Sequence, residues 1–231
     1  MRRDAAASAV RKSLTVPFCQ RMMPMLIPWR CGYRASTRIR PDQLTPPKMN
    51  VPASSRRRAL AIIDVQKDFV PFDDSATLSN IRKLIASVPY HLYIEAVFSA
   101  EPSSLWGLQT GWSLPKGNKV STLKEISEAL ENHRVYQIRK HTKSVFKGRP
   151  DLLSLLRKYE ICELHLVGFD LNDCVMASAF DAFDSGLFTY VIEECCGESK
   201  GSGLRRPALE LLRYLNLTNN SIHESIPVIT P

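Results

Sequence analysis

Short apolar runs alternate with amphipathic stretches along residues 58–215, and nothing constrains this chain's fold more than that alternation. Runs at 59–63, 93–98, 134–138, 163–167 and 188–192 read as strands. Between them, 77–88 places Leu78, Ile81, Leu84 and Ile85 on one helical face, and 151–158 does the same with Leu152, Leu155 and Leu156. Further helices are expected at 121–130, at 173–184 with Gly186 as its stop, and at 204–215, where Pro207 falls in the tolerated first turn. Strand–helix alternation of this kind implies a three-layer, Rossmann-like α/β fold, its sheet mostly parallel with helices on both faces. Residues 99–120, broken by Pro102, Gly107, Gly111, Pro115 and Gly117, read as one long loop of the sort that covers a site.

In an open parallel sheet the C-terminal ends of the strands share one edge, and ligands bind there. Three strands end next to reactive groups. The first runs into Asp64, the third into Lys140, and the fourth into Gly168 and a polar turn leading to Cys174 at the head of a small-residue helix. Helix N–H groups favour a thiolate, so the sequence predicts a nucleophilic cysteine with an acid and an amine beside it. Singly, each residue has a plainer reading: a buried structural thiol, a cap or turn aspartate, a solvated lysine.

Three segments together resemble the isochorismatase-like cysteine hydrolases, a family that includes nicotinamidases, N-carbamoylsarcosine amidases, ureidoacrylate amidases and isochorismatases. They are Ala61-Ile62-Ile63-Asp64-Val65-Gln66-Lys67-Asp68-Phe69, Arg139-Lys140-His141-Thr142-Lys143-Ser144-Val145-Phe146, and the stretch from Val167-Gly168 through Cys174-Val175 to Ala179. Order and spacing agree over about 58–215. The resemblance implies a catalytic set of Asp64, Lys140 and Cys174. Lys140 is preferred over Lys143 and Lys147 because Ser144 and Phe146 follow it at the family offsets. It further implies an oxyanion hole from the backbone N–H groups of Asp170 and Cys174, a cis peptide at Phe169–Asp170, substrate contacts from Gln66, Phe69, Trp106 and Phe146, and assembly into a homo-oligomer.

Two residues depart from the family pattern. Leu171 stands where a threonine is usual, and Asp170 brings a carboxylate to the oxyanion position. The aspartate and histidines that bind a metal in nicotinamidases are missing after the second strand, where Ser99-Ala100-Glu101-Pro102 stands. His91, His133, His141, His165 and His223 show no spacing suited to a metal, so no metal and no other cofactor is expected. The expected activity is hydrolysis of a C–N bond in a small amide or ureido substrate through a thioacyl intermediate. The alternatives are vinyl-ether hydrolysis, disfavoured by Cys174, and a catalytically silent binding module on the same fold, suggested by Asp170 and Leu171.

Charge divides the chain. Residues 1–58 hold 13 Lys and Arg against Asp4 and Asp42, a net of +11; the remainder holds 18 against 21, a net of −3. The basic character therefore belongs to the N-terminal segment, which lacks the aromatic platform or recognition helix of a nucleic-acid binder. Residues 1–57 are expected to be an extension and 58–231 the hydrolase domain. The extension has the Arg-, Ser- and Ala-rich, acid-poor composition of a mitochondrial transit peptide. Met49, just before the core, supports the rival reading of a misassigned start and a cytoplasmic protein. The apolar stretch 22–29 is too short to span a membrane. Six cysteines without a CxxC spacing fit a reducing compartment.

Overall fold

The first strand is apolar on both faces, and the chain buries both. In β1 (Arg58–Ile63), Ala59, Ala61 and Ile63 enter one core cluster while Leu60 and Ile62 enter the other. A strand of this kind is stable only in a sheet covered on both sides. The computed structural model describes residues 55–71, 73–114, 120–199 and 203–218, all within the compact unit Thr45–Pro231. The extension expected at 1–57 thus falls, up to residue 54, outside the described residues.

The remaining elements are α1 (Ser75–Ser87), β2 (Leu92–Phe98), α2 (Leu105–Thr110), α3 (Lys124–Ala129), β3 (Val135–Lys140), α4 (Leu152–Lys158), β4 (Glu163–Gly168), α5 (Met176–Asp184), β5 (Phe188–Cys196) and α6 (Arg205–Tyr214). The strands lie in the order β3-β2-β1-β4-β5, and every neighbouring pair is parallel. Helices α1 and α3 pack on one face, and α4, α5 and α6 on the other. This is the three-layer α/β fold expected from the alternation. Strand order reverses between β1 and β4, which makes the crevice beyond their C-terminal ends the natural ligand site. Among the described residues no helix is long and apolar enough to cross a membrane.

Gly168 is required where β1 and β4 meet. Its φ is +117°, and a Cβ there would lie 2.1 Å from the Ile63 carbonyl oxygen. Four segments differ from the sequence expectations. The loop expected over 99–120 contains α2, capped by Ser104, whose Oγ accepts the Gly107 N–H at 3.1 Å, and ended by the left-handed Gly111. The helix expected at 121–130 is confined to α3. Strand β5 continues to Cys196 because the ladder resumes past a bulge, pairing Gly168 with Cys196. Beyond β5, Thr218 pairs in parallel with Val191, a contact outside the strands expected from the sequence.

Candidate active site

Asp64 closes β1 in a left-handed conformation, φ +51°, which aspartate tolerates better than most side chains. Its N–H donates to the Ala96 carbonyl at 3.0 Å, so the carboxylate is fixed at the sheet edge. Lys140 is the last residue of β3. Its Nζ donates to Asp64 Oδ2 at 2.6 Å and to the Thr142 carbonyl at 3.0 Å, and lies 4.9 Å from the centre of the Phe98 ring. Both side chains of the pair are fully buried. Lys143 and Lys147 are mostly exposed and pair with Asp173 and Asp181, which leaves Lys140 as the lysine of the buried site.

Cys174 follows β4, not at the first turn of an ordinary α-helix but within a π-helical turn, Leu171–Val175, that precedes α5. Such turns are often found at functional sites. Ser178 on α5 joins two segments of the site: its Oγ donates to the Cys174 carbonyl at 2.7 Å and accepts the Val145 N–H at 3.0 Å. The loop carrying Lys140 is thereby tied to the nucleophile turn.

The electrostatics correct one expectation. The sequence predicts a thiol shifted toward its anion, yet the Cys174 pKa is raised well above the ordinary thiol value. Burial is the main cause and the Asp64 carboxylate adds to it; Lys140 opposes them. Burial also raises Asp64 above the usual carboxylate range, against the pull of Lys140. For Lys140, burial works downward, but the charges of Asp64 and Cys174 outweigh it and the ammonium is held more firmly than usual. Burial thus favours the neutral form of the thiol, makes Asp64 a stronger base than an ordinary carboxylate, and leaves the charge on Lys140 firmly held by its partners. Asp64 Oδ1 has no hydrogen-bond partner at standard geometry. The Cys174 thiol is nonetheless close enough to the Asp64 carboxylate to bond it and so shift both groups.

The Phe169–Asp170 peptide is cis, at the position the resemblance implied. The carboxylate of Asp170 turns away from any oxyanion duty: Oδ1 accepts the Ser199 N–H at 2.7 Å and Oδ2 the Ser199 hydroxyl at 2.7 Å. Leu171 is fully buried in the core, which accounts for an apolar residue in place of threonine.

The expected substrate residues divide. Phe69 and Trp106 join Phe98 and Trp112 in one aromatic cluster; the Phe69 and Trp112 rings lie 5.6 Å apart, those of Phe98 and Trp106 5.1 Å, and those of Phe98 and Trp112 stack at 5.8 Å. The indole Nε1 of Trp106 is buried without a partner. Gln66 is buried, with its Oε1 accepting the Phe98 N–H at 2.7 Å and its Nε2 donating to the Phe98 carbonyl at 3.1 Å, so it braces the end of β2 instead of offering its amide to a substrate. Phe146 packs against the core on the α4 and α5 side and makes no ring contact with the aromatic cluster among the described residues. Sequence reasoning overlooked Phe98, although an aromatic residue closing β2 was a readable sign. It also overlooked the pairing of Lys143 with Asp173, which no local pattern announces.

Ser99 stands at the end of β2 and its carbonyl accepts the His141 Nδ1–H at 2.6 Å; no group of three or more His, Cys, Asp or Glu side chains is placed to hold a metal among the described residues.

The doubly wound sheet thus brings Asp64, Lys140 and Cys174 to the C-terminal side of three of its strands. The model of the isochorismatase domain matches residues 58–221, and the chain belongs to that family. Solved structures that share its fold include the following three. N-carbamoylsarcosine amidase from Thermoplasma acidophilum superposes with a TM-score of 0.57 at 20% identity over 70% of this chain and 94% of that one. An isochorismatase-like hydrolase from Alkaliphilus metalliredigens gives 0.57 at 15% identity over 71% and 90%. A nicotinamidase/pyrazinamidase from Acinetobacter baumanii gives 0.58 at 18% identity over 71% and 95%. A search of curated proteins found no match.

Proposed function

We propose that this chain is a cysteine amidohydrolase that cleaves a C–N bond of a small amide or ureido compound, with Cys174 as nucleophile. The observation that carries the reading is the fully buried Lys140–Asp64 pair beside a buried thiol at the switch point of the sheet. A buried ion pair is a poor source of stability, so its cost points to a use in chemistry.

Because the thiol is neutral at rest, activation accompanies attack. As Cys174 Sγ bonds to the carbonyl carbon, its proton passes to Asp64, whose raised pKa suits it to a base. The carbonyl electron pair moves to oxygen, and the backbone N–H groups of Asp170 and Cys174 receive the oxyanion. The Asp170 N–H has no acceptor among the described residues, in keeping with that role. The C–N bond then breaks, and the leaving nitrogen takes the proton from Asp64. Water attacks the thioacyl carbon, gives a proton to Asp64, and the C–S bond breaks as that proton returns to sulfur. Lys140 stays charged throughout and steadies first the carboxylate, then the developing thiolate. Phe69, Trp106 and Trp112 supply the apolar wall against which the substrate body rests.

A panel of amides and carbamoyl compounds, with ammonia release as readout, tests this reading. Turnover on at least one member, lost in Cys174→Ala, is the expected result; turnover that persists in the variant would remove the thiol mechanism. The second reading, a silent binding module, is favoured by the same raised thiol pKa, and it is the reading left standing if no panel member turns over.

A further inference from the structure

The sheet has a second edge, and it carries a cavity that the proposed chemistry does not use. The starts of the parallel strands gather there. Arg57 lies just before β1, Ile161 and Cys162 just before β4, Leu187 just before β5, and α4 ends beside them. Between these segments lies a cavity of about 410 Å³, within the size range of small-molecule sites. Its floor is apolar, formed by Leu153, Leu156, Ile161 and Leu187, the last three of them buried.

Two arginines, Arg57 and Arg157, are among its lining residues. Their treatment contrasts with that of nearby arginines. Arg56 and Arg58 both pair with Glu163, whereas neither Arg57 nor Arg157 forms a close ion pair among the described residues, although Arg157 lies near enough to Asp151 to help lower its pKa. Arg57 Nε donates to the Tyr159 carbonyl at 2.9 Å, which fixes the plane of its guanidinium and leaves the other N–H groups available. Glu160 also borders the cavity, in a turn with φ +54°, but forms no ion pair among the described residues, so two cationic residues and one anionic residue line it. An apolar floor bordered by two arginines complements a molecule with a hydrocarbon body and one anionic head.

We propose that this cavity is a binding site for a small amphipathic anion, a carboxylate with an apolar body of a few carbons, seated at the edge of the sheet opposite Cys174. The carboxylate is received by Arg57 and Arg157 and the body lies on the leucine floor. The site is independent of the hydrolase reading, since it shares no residue with the catalytic edge.

Cys162 makes the proposal measurable. It is a free, half-buried thiol in the cavity wall, with Sγ 3.8 Å from the Arg57 carbonyl oxygen. The full-length protein is treated with N-ethylmaleimide in the presence of octanoate or of octan-1-ol, and alkylation of Cys162 is followed by peptide mass spectrometry. Octanoate is expected to protect Cys162 saturably, at concentrations about tenfold below those at which octan-1-ol does. Arg157 is exposed on α4, so Arg157→Glu leaves the fold intact; it is expected to weaken octanoate protection about tenfold, with Arg157→Lys between it and the parent. Equal protection by octan-1-ol and octanoate would overturn the proposal, as would no protection at all, or undiminished protection in Arg157→Glu.

Discussion

One sheet holds two buried ionic networks, and they are finished to different degrees. Near the starts of the strands, Glu163 accepts from Arg56 at 3.3 Å and from His165 Nε2 at 2.9 Å, with Arg58 at 3.4 Å. A carboxylate can only accept, so His165 carries its proton on Nε2, and Nδ1 takes the Tyr90 hydroxyl at 2.8 Å. Among the described residues no buried side-chain polar atom of that network lacks a partner. At the other edge Asp64 Oδ1 accepts no N–H or O–H donor, and the Lys140–Asp64 pair faces the neutral Cys174 thiol, which lies close enough to bond the carboxylate. A network that only holds a fold together closes its hydrogen bonds; one that performs chemistry leaves a place for its substrate.

Removing the centre of each network is the sharpest way to break this contrast. Lys140→Met should lower turnover by about 10⁴-fold, the scale seen when a member of a catalytic triad is lost, because Asp64 then loses its orienting partner. Turnover within tenfold of the parent would mean that the pair is structural after all. Glu163→Gln should do the reverse. With the charge at the centre of the network removed, unfolding free energy should fall by about 3 kcal/mol in denaturant melts, while kcat stays within about twofold.

Acid provides a gentler separation of the two edges. Burial lowers the His165 pKa, against the upward pull of Glu163, so the folded state resists a proton that the unfolded chain accepts. The unfolded state therefore binds more protons once the pH falls below about 6.5, and stability declines from there at up to about 1.4 kcal/mol per pH unit until the folded pKa is reached. Glu163 extends the loss. Burial would raise its pKa, but His165, Arg58 and Arg56 together hold it below the ordinary value, so its contribution is present above the unfolded pKa of about 4.3 and disappears as the pH falls through the folded one. Melting temperatures between pH 7 and 4 check this; a flat profile would contradict it. The smallest effect is expected at the aromatic wall, where Trp106→Ala should raise KM by about tenfold with little change in kcat.

The sequence made the strand ends readable, and with them the positions of Asp64, Lys140 and Cys174, because apolar runs report a buried parallel sheet and the polar residue after each run must lie at its edge. What it hid depends on contacts distant in the chain. Helix α2 was concealed by Pro102, Gly107 and Gly111, which here flank, enter and end a helix capped by Ser104. The bond of Gln66 to Phe98 spans two strands, and the grip of Ser199 on Asp170 joins two loops. The ionisation of Cys174 could not be read at all. A helix start argues for a thiolate, and only the packed structure reveals that burial and Asp64 outweigh it.

The pH dependence of Cys174 alkylation by iodoacetamide, measured in the parent and in Asp64→Asn, tests most directly whether a neutral thiol waits for Asp64 to act as its base. In the parent, reactivity should keep rising well above pH 8.5, the range of an ordinary thiol. Asp64→Asn should shift that rise to lower pH, because a repelling carboxylate has gone, and yet abolish turnover. A parent thiol already fully reactive below pH 7, or an Asp64→Asn variant that still turns over, would contradict this account of the site.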